Sequence, residues 1–157
     1  MKYRRYIIAS TLLLVVLIAV WLFSQQAGDS SNSLSQYLTA EIIRFFDVFH
    51  LGTPVQKFFY YIDLRKVAHV AVFAVIGFLI IYLVPLKRVY LRVVIAFGAG
   101  LIIGIADEIH QSFAQDRIAS WTDVLIDLLG IAFGAGIALL CRWIYGKIRR
   151  KRRNEKD

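Results

Sequence analysis

Val93–Gln111 reads VVIAFGAGLIIGIADEIHQ: an apolar run to Ala106, then Asp107-Glu108-Ile109-His110-Gln111 without a break. A helix needs roughly 20 apolar residues to cross the hydrocarbon core of a bilayer. The apolar run alone is too short, but it becomes long enough when it continues through Gln111. That continuation carries ionisable side chains to membrane depth or to its edge, where they tend to face protein or a wet cavity.

Three further stretches are apolar enough to span: Ile7–Phe23, Val67–Val84 and Val124–Tyr145. Hydrophobic residues make up 59% of the 157 residues, and the mean hydropathy of +0.61 is too high for an ordinary water-soluble domain. The expectation is an all-α membrane protein with four transmembrane helices at about 7–23, 67–84, 92–111 and 123–145. Residues 7–145 would form one membrane domain, between a basic N-terminus at 1–6 and a basic tail at 146–157. The first stretch is longer than the usual apolar region of a signal peptide and lacks an A-x-A-like site at Ser24–Ala27, so it reads as an uncleaved helix.

Nineteen Lys and Arg against 11 Asp and Glu give a formal net charge of +8. The basic residues sit in short blocks beside the apolar runs: Lys2, Arg4 and Arg5; Lys87, Arg88 and Arg92; and Lys147 to Lys156. This pattern points to membrane topology signals and to contact with anionic lipids at the cytoplasmic face, not to nucleic acid. The basic segments place both termini and the 85–92 turn in the cytoplasm. The 24–66 and 112–121 connections then lie outside. The tail reads as a disordered, solvated segment. Cys141 reads as a small buried hydrophobe, and a single cysteine allows no intramolecular disulfide.

Between the first two spans, Gln25–Ser33 reads as a turn or linker. Leu38, Ile42, Phe45, Phe46 and Phe49 then recur at helical spacing, so 34–63 is expected to form an extracytoplasmic amphipathic helical segment. Pro54 should interrupt it, with Phe58–Ile62 as a second short piece.

This topology brings separate polar groups to one face of the membrane. Arg65 and His69 are four residues apart at the start of the second span. Asp107, His110 and Gln111 share a face of the third, with Glu108 at its flank. The connection adds Asp116 and Arg117, and the fourth span opens with Asp123 and Asp127. Each such charge costs up to roughly 3 kcal/mol at the middle of a membrane helix, so the arginines are natural partners for the carboxylates. Gly100 and Gly104, and likewise Gly130 and Gly134, form small-residue seams running into the acids, which suggests that the third and fourth spans cross below a polar pocket. Individually, Thr122 or Asp123 reads as a helix N-cap, Glu108 as a solvated helix end, and Trp21, Trp121 and Trp143 as interfacial anchors.

The motifs Arg65-Lys66-x-x-His69 and Asp107-Glu108-x-His110-Gln111, followed by Arg117, Asp123 and Asp127-x-x-Gly130, resemble the VanZ-like family. The Phe23-Ser24-x-Gln26 edge of the first span fits as well, and the likeness covers about residues 20 to 140. Ala114–Asp116 stands where many members carry a Pro-Gly-type turn. The resemblance implies a small bacterial multi-span protein of the plasma membrane. It also implies a link to teicoplanin resistance, with which the name-giving member is associated; it fixes no reaction.

Four functions fit these residues. An outward pocket would bind or modify an anionic lipid, a lipid-linked envelope component or the glycopeptide itself, using Arg65, His69, Asp107, Gln111, Arg117, Asp123 and Asp127, with Glu108 or His110 as general acid or base. A metal-dependent enzyme could draw on His69, His110, Asp107, Glu108 and Asp123, but their spacing matches no metal signature, so no metal or other cofactor is assigned. A proton or ion path needs acids in the cytoplasmic half, where the sequence has none. A non-enzymatic accessory would use the polar cluster only to lock its helices.

Overall fold

The computed structural model describes residues 2–25, 28–61, 63–114 and 117–154. Gln26, Ile62 and Asp116, which entered the motifs and segments above, lie outside the described residues. The described chain contains six α-helices and no strand: α1 Lys2–Ser24, α2 Gly28–Asp47, α3 Gly52–Tyr61, α4 Leu64–Leu83, α5 Val89–Gln111 and α6 Trp121–Asn154. Four of them, α1, α4, α5 and α6, are long and apolar enough to cross a membrane. Large apolar side chains such as Ile102 (70% exposed) and Leu129 (64% exposed) cover the outside of the bundle. That surface suits hydrocarbon and would be a liability in water.

α4 is the central helix, packed on α1, α5 and α6 and touched by α2. The core is formed by Phe73, Ile76, Ile80 and Ile81 of α4, Ala96 of α5, and Ile131, Ala135 and Ala138 of α6. Close approach of α4 and α6 fixes this arrangement. A methyl group added at Gly130 would lie 2.6 Å from the Val70 carbonyl oxygen, and one at Gly134 would overlap the Ala74 carbonyl. Reciprocally, one at Gly77 would lie 2.5 Å from the Ile131 carbonyl oxygen. The α6 seam therefore faces α4, not α5 as the aligned seams suggested. The α5 seam does face α6: Gly100 meets the Ile131 side chain, and Gly104 meets Asp127 and Val124. Because α6 needs small residues only where backbones touch, its other face can bear Ile131 toward α5.

Several sequence expectations are corrected. Residues 28–33 belong to α2, since Ser, Asn and Asp are favoured in and around a helix start. The break after α2 falls at Val48–Leu51, where His50 takes a positive φ of 57°. Pro54 sits in the first turn of α3, where its missing N–H has no intrahelical partner to lose. The basic tail is helical through Asn154, because Lys and Arg are good helix formers and no proline stops them. Cys141 is exposed on the bundle surface. At the end of the bundle away from the acids, buried Arg92 donates from Nε to the Leu86 carbonyl and ties down the α4–α5 turn.

Candidate functional site

The end of α1, the start of α4, the end of α5 and the start of α6 meet at one end of the bundle. Asp63 caps α4 by accepting from the Arg65 backbone N–H at 2.8 Å. The Ser35 hydroxyl of α2 reaches the same carboxylate at 3.2 Å, so α2 is tied to the α4 start. Asp107 and Gln111 are one turn apart on α5 and turn the same way, and the Gln111 amide donates to Asp107 Oδ2 at 2.6 Å. Arg117 Nη1 in turn donates to Gln111 Oε1 at 2.7 Å, giving a relay from guanidinium to amide to carboxylate. The Ser24 hydroxyl, buried at the end of α1, lies against Asp107 Oδ1 and 2.7 Å from the Val20 carbonyl.

One turn deeper, His69 Nδ1 is 3.0 Å from Asp127 Oδ1. Asp127 is fully buried, at 0% exposure, and its other oxygen has no hydrogen-bond partner among the described residues. The ionic partner of Asp127 is thus a histidine. Neither arginine pairs with Asp107, Glu108 or Asp127: Arg65 has the carboxylate of the cap residue Asp63 at 3.9 Å, and Arg117 bonds the Gln111 amide. Burial pulls the Arg117 guanidinium below the ordinary arginine range, and the neighbouring Arg65 charge adds to this, while Asp107, Glu108 and Asp123 oppose it.

The candidate acid–base residues lie elsewhere. Glu108 is buried and accepts the Ser120 backbone N–H at 2.7 Å, fastening the segment that leads into α6; it is not a solvated helix end. His110 stacks on Trp21 of α1, with ring centroids 3.6 Å apart and planes 15° from parallel. Successive helix positions point about 100° apart, so residues adjacent to Asp107 are carried to other neighbours. Trp21 is therefore a packing partner of His110 as well as a surface aromatic. α6 begins at Trp121, which puts Thr122 and Asp123 inside its first turn, where the helix dipole favours an acid.

Beside the cluster lies a cavity of about 390 Å³ between α1, α2 and α4. Its polar end carries Ser24, Arg65, His69, Asp107, Gln111 and Arg117. Its walls are apolar: Val16, Val20 and Phe23 of α1, Leu38 of α2, and Ala68 and Val72 of α4. The structure thus joins Arg65, His69, Asp107, Gln111 and Arg117 in one chamber, with Asp127 behind His69. Glu108, His110 and Asp123 do not line it. Ser24 and Ser35 are not among the site residues expected from the sequence; the signal for Ser24 is its place in the Phe23-Ser24-x-Gln26 edge of the first span, and Ser35 has none.

No curated protein and no solved structure matches the chain. A family model described as VanZ/LLP1 matches residues 9–142. With the motif residues gathered at one end of a four-span bundle, the chain is a member of the VanZ/LLP1 family and a multi-pass membrane protein.

Proposed function

We propose that the chain holds the phosphate-bearing head of an anionic lipid, or of a lipid-linked envelope component, in this cavity at the outward face of a bacterial plasma membrane. One observation carries the reading. Two arginines, neither paired with Asp107, Glu108 or Asp127, stand at the polar end of an otherwise apolar chamber, with Arg65 3.9 Å from the cap residue Asp63 and Arg117 on the Gln111 amide. A guanidinium bonds phosphate oxygens in a planar, charge-assisted geometry. An anion between Arg65 and Arg117 would also relieve their mutual repulsion. The apolar wall on α1 runs from Phe23 to Val16, about 10 Å along the helix, and can follow an acyl chain into the hydrocarbon.

The orientation rests on the Lys and Arg blocks at the N-terminus, the 85–92 turn and the tail, which mark the cytoplasmic side. Their anionic-lipid contacts form there. The exposed Phe45 of α2 would then lie at the outer headgroup boundary. An alkaline-phosphatase fusion within residues 112–120 should be active and one after Asn154 inactive; the reverse pattern would refute this topology.

Through such a ligand the protein would contribute to resistance against teicoplanin-type glycopeptides. The test is native mass spectrometry of the purified chain after exchange against phosphatidylglycerol or phosphatidylcholine. The wild type should retain the anionic lipid preferentially. Arg65→Ala/Arg117→Ala should weaken that retention by at least about tenfold, since a hydrogen bond to a charged group is worth roughly 1.5–3 kcal/mol. Equal retention by both proteins would defeat the lipid reading. Unchanged teicoplanin susceptibility of cells carrying the double variant at equal expression would defeat the link to resistance.

A further inference from the structure

We infer that His69, Asp107 and Asp127 form a binding site for a divalent transition metal of the zinc or manganese type at the inner end of the cavity. Each residue comes from a different helix, α4, α5 and α6. Each offers one donor atom, and the three donors lie within 4.8 Å of one another. An ion with bonds of about 2.0–2.2 Å to nitrogen and oxygen draws such a set together with small side-chain adjustments.

Asp127 supplies an independent argument. A fully buried carboxylate is stable when it is paired or bound to metal. His69 meets only Oδ1, whereas Oδ2 is buried without a partner among the described residues. That second oxygen points at α5, the helix that carries Asp107: a methyl group at Gly104, one turn before Asp107, would lie 3.3 Å from it. Glycine at this position leaves room beside that oxygen.

The surroundings of Asp107 resemble the support that metal ligands receive. Gln111 and Ser24 fix its two oxygens, and Arg117 fixes Gln111. Such outer partners orient ligands and tune affinity. His69 and Asp107 both line the cavity, so an ion held by them keeps coordination positions open toward it, as metal sites that act on a ligand do. One imidazole nitrogen and two carboxylates suit zinc or manganese better than calcium or magnesium, which prefer oxygen alone.

The inference goes beyond the lipid reading and does not rest on it, because it is tested without added lipid and with Arg65 and Arg117 intact. The full chain, purified in detergent and stripped with chelator, is titrated with Zn²⁺ and with Mn²⁺, and bound metal is counted by elemental analysis after equilibrium dialysis. One ion per chain is expected. Asp107→Asn and His69→Gln, which keep a polar side chain of similar size, should lose stoichiometric binding while eluting as the wild type does on size exclusion. Gln111→Leu should weaken binding roughly 10- to 100-fold, and His50→Ala, at an exposed position between α2 and α3, should change nothing. Cobalt substitution of the wild type provides a readout free of variants: weak visible bands from nitrogen and oxygen ligands are expected. Absence of stoichiometric zinc and manganese, or binding that survives both Asp107→Asn and His69→Gln, would overturn the site.

Discussion

Gly134→Ala strongly destabilises the protein, while Gly136→Ala, two positions along the same helix, leaves its thermal midpoint unchanged or slightly raised. The added methyl at 134 would occupy the place of the Ala74 carbonyl of α4, and its other near neighbours are Ala74 backbone atoms at 2.6 and 2.8 Å. No rotamer change relieves a clash with backbone, so α4 and α6 must move apart. Overpacking of this kind costs roughly 1–3 kcal/mol, occasionally more. The loss spreads because Phe73, Ile76 and Ile131 fill the same contact. At Gly136 nothing lies within 4 Å of an added methyl, and alanine in a helix interior is better than glycine by about 0.5–1 kcal/mol. Thermal melts of both variants in one detergent, followed by size exclusion, check the pair. Equal midpoints would mean that α4 and α6 do not pack as described.

The second large effect lies at the buried acid. In chelator-treated protein, His69→Ala should cost roughly 3–5 kcal/mol, the usual penalty for removing one partner of a buried pair. Among the described residues it takes away the one group bonded to Asp127 Oδ1, and Oδ2 already lacks a partner there. The double variant His69→Leu/Asp127→Leu should recover most of that loss, because apolar replacement of a buried pair is often neutral or stabilising. A double-mutant cycle on thermal midpoints gives the coupling directly. If His69→Ala were as stable as the wild type, Asp127 would have another source of stabilisation and the pairing would be incidental.

Much of this architecture was legible in the residues. The four spans follow from long apolar runs, which have few alternatives to a membrane helix. The gathering of Arg65, His69, Asp107, Gln111 and Arg117 follows from their places at span ends. Partner choice was not legible. Charge suggests arginine with carboxylate, yet Arg117 meets an amide and Asp127 meets a histidine, because side-chain reach and helix rotation decide which atoms touch. The α6 seam shows the same limit: a small-residue stripe says that some backbone comes close, not which one. Glu108 and His110 are read as acid–base candidates from their residue types. Their contacts with Ser120 N–H and the Trp21 ring could be found only in three dimensions. The break at His50 has no signal in the sequence, because the left-handed turn there uses a non-glycine residue, whereas Pro54 is a known helix breaker.

The unbroken length of α6 has a mechanical consequence. Its 34 residues make a rod of about 50 Å, longer than the roughly 30 Å of hydrocarbon it crosses. Asp127 is near one end, and Lys151, Arg152 and Arg153 are at the other. No proline separates them in this one continuous helix, so a tilt of only about 5° about the acid would sweep the cationic tip through about 3 Å. A displacement of the helix at the polar pocket would thereby be carried along one continuous element toward the opposite side of the bilayer.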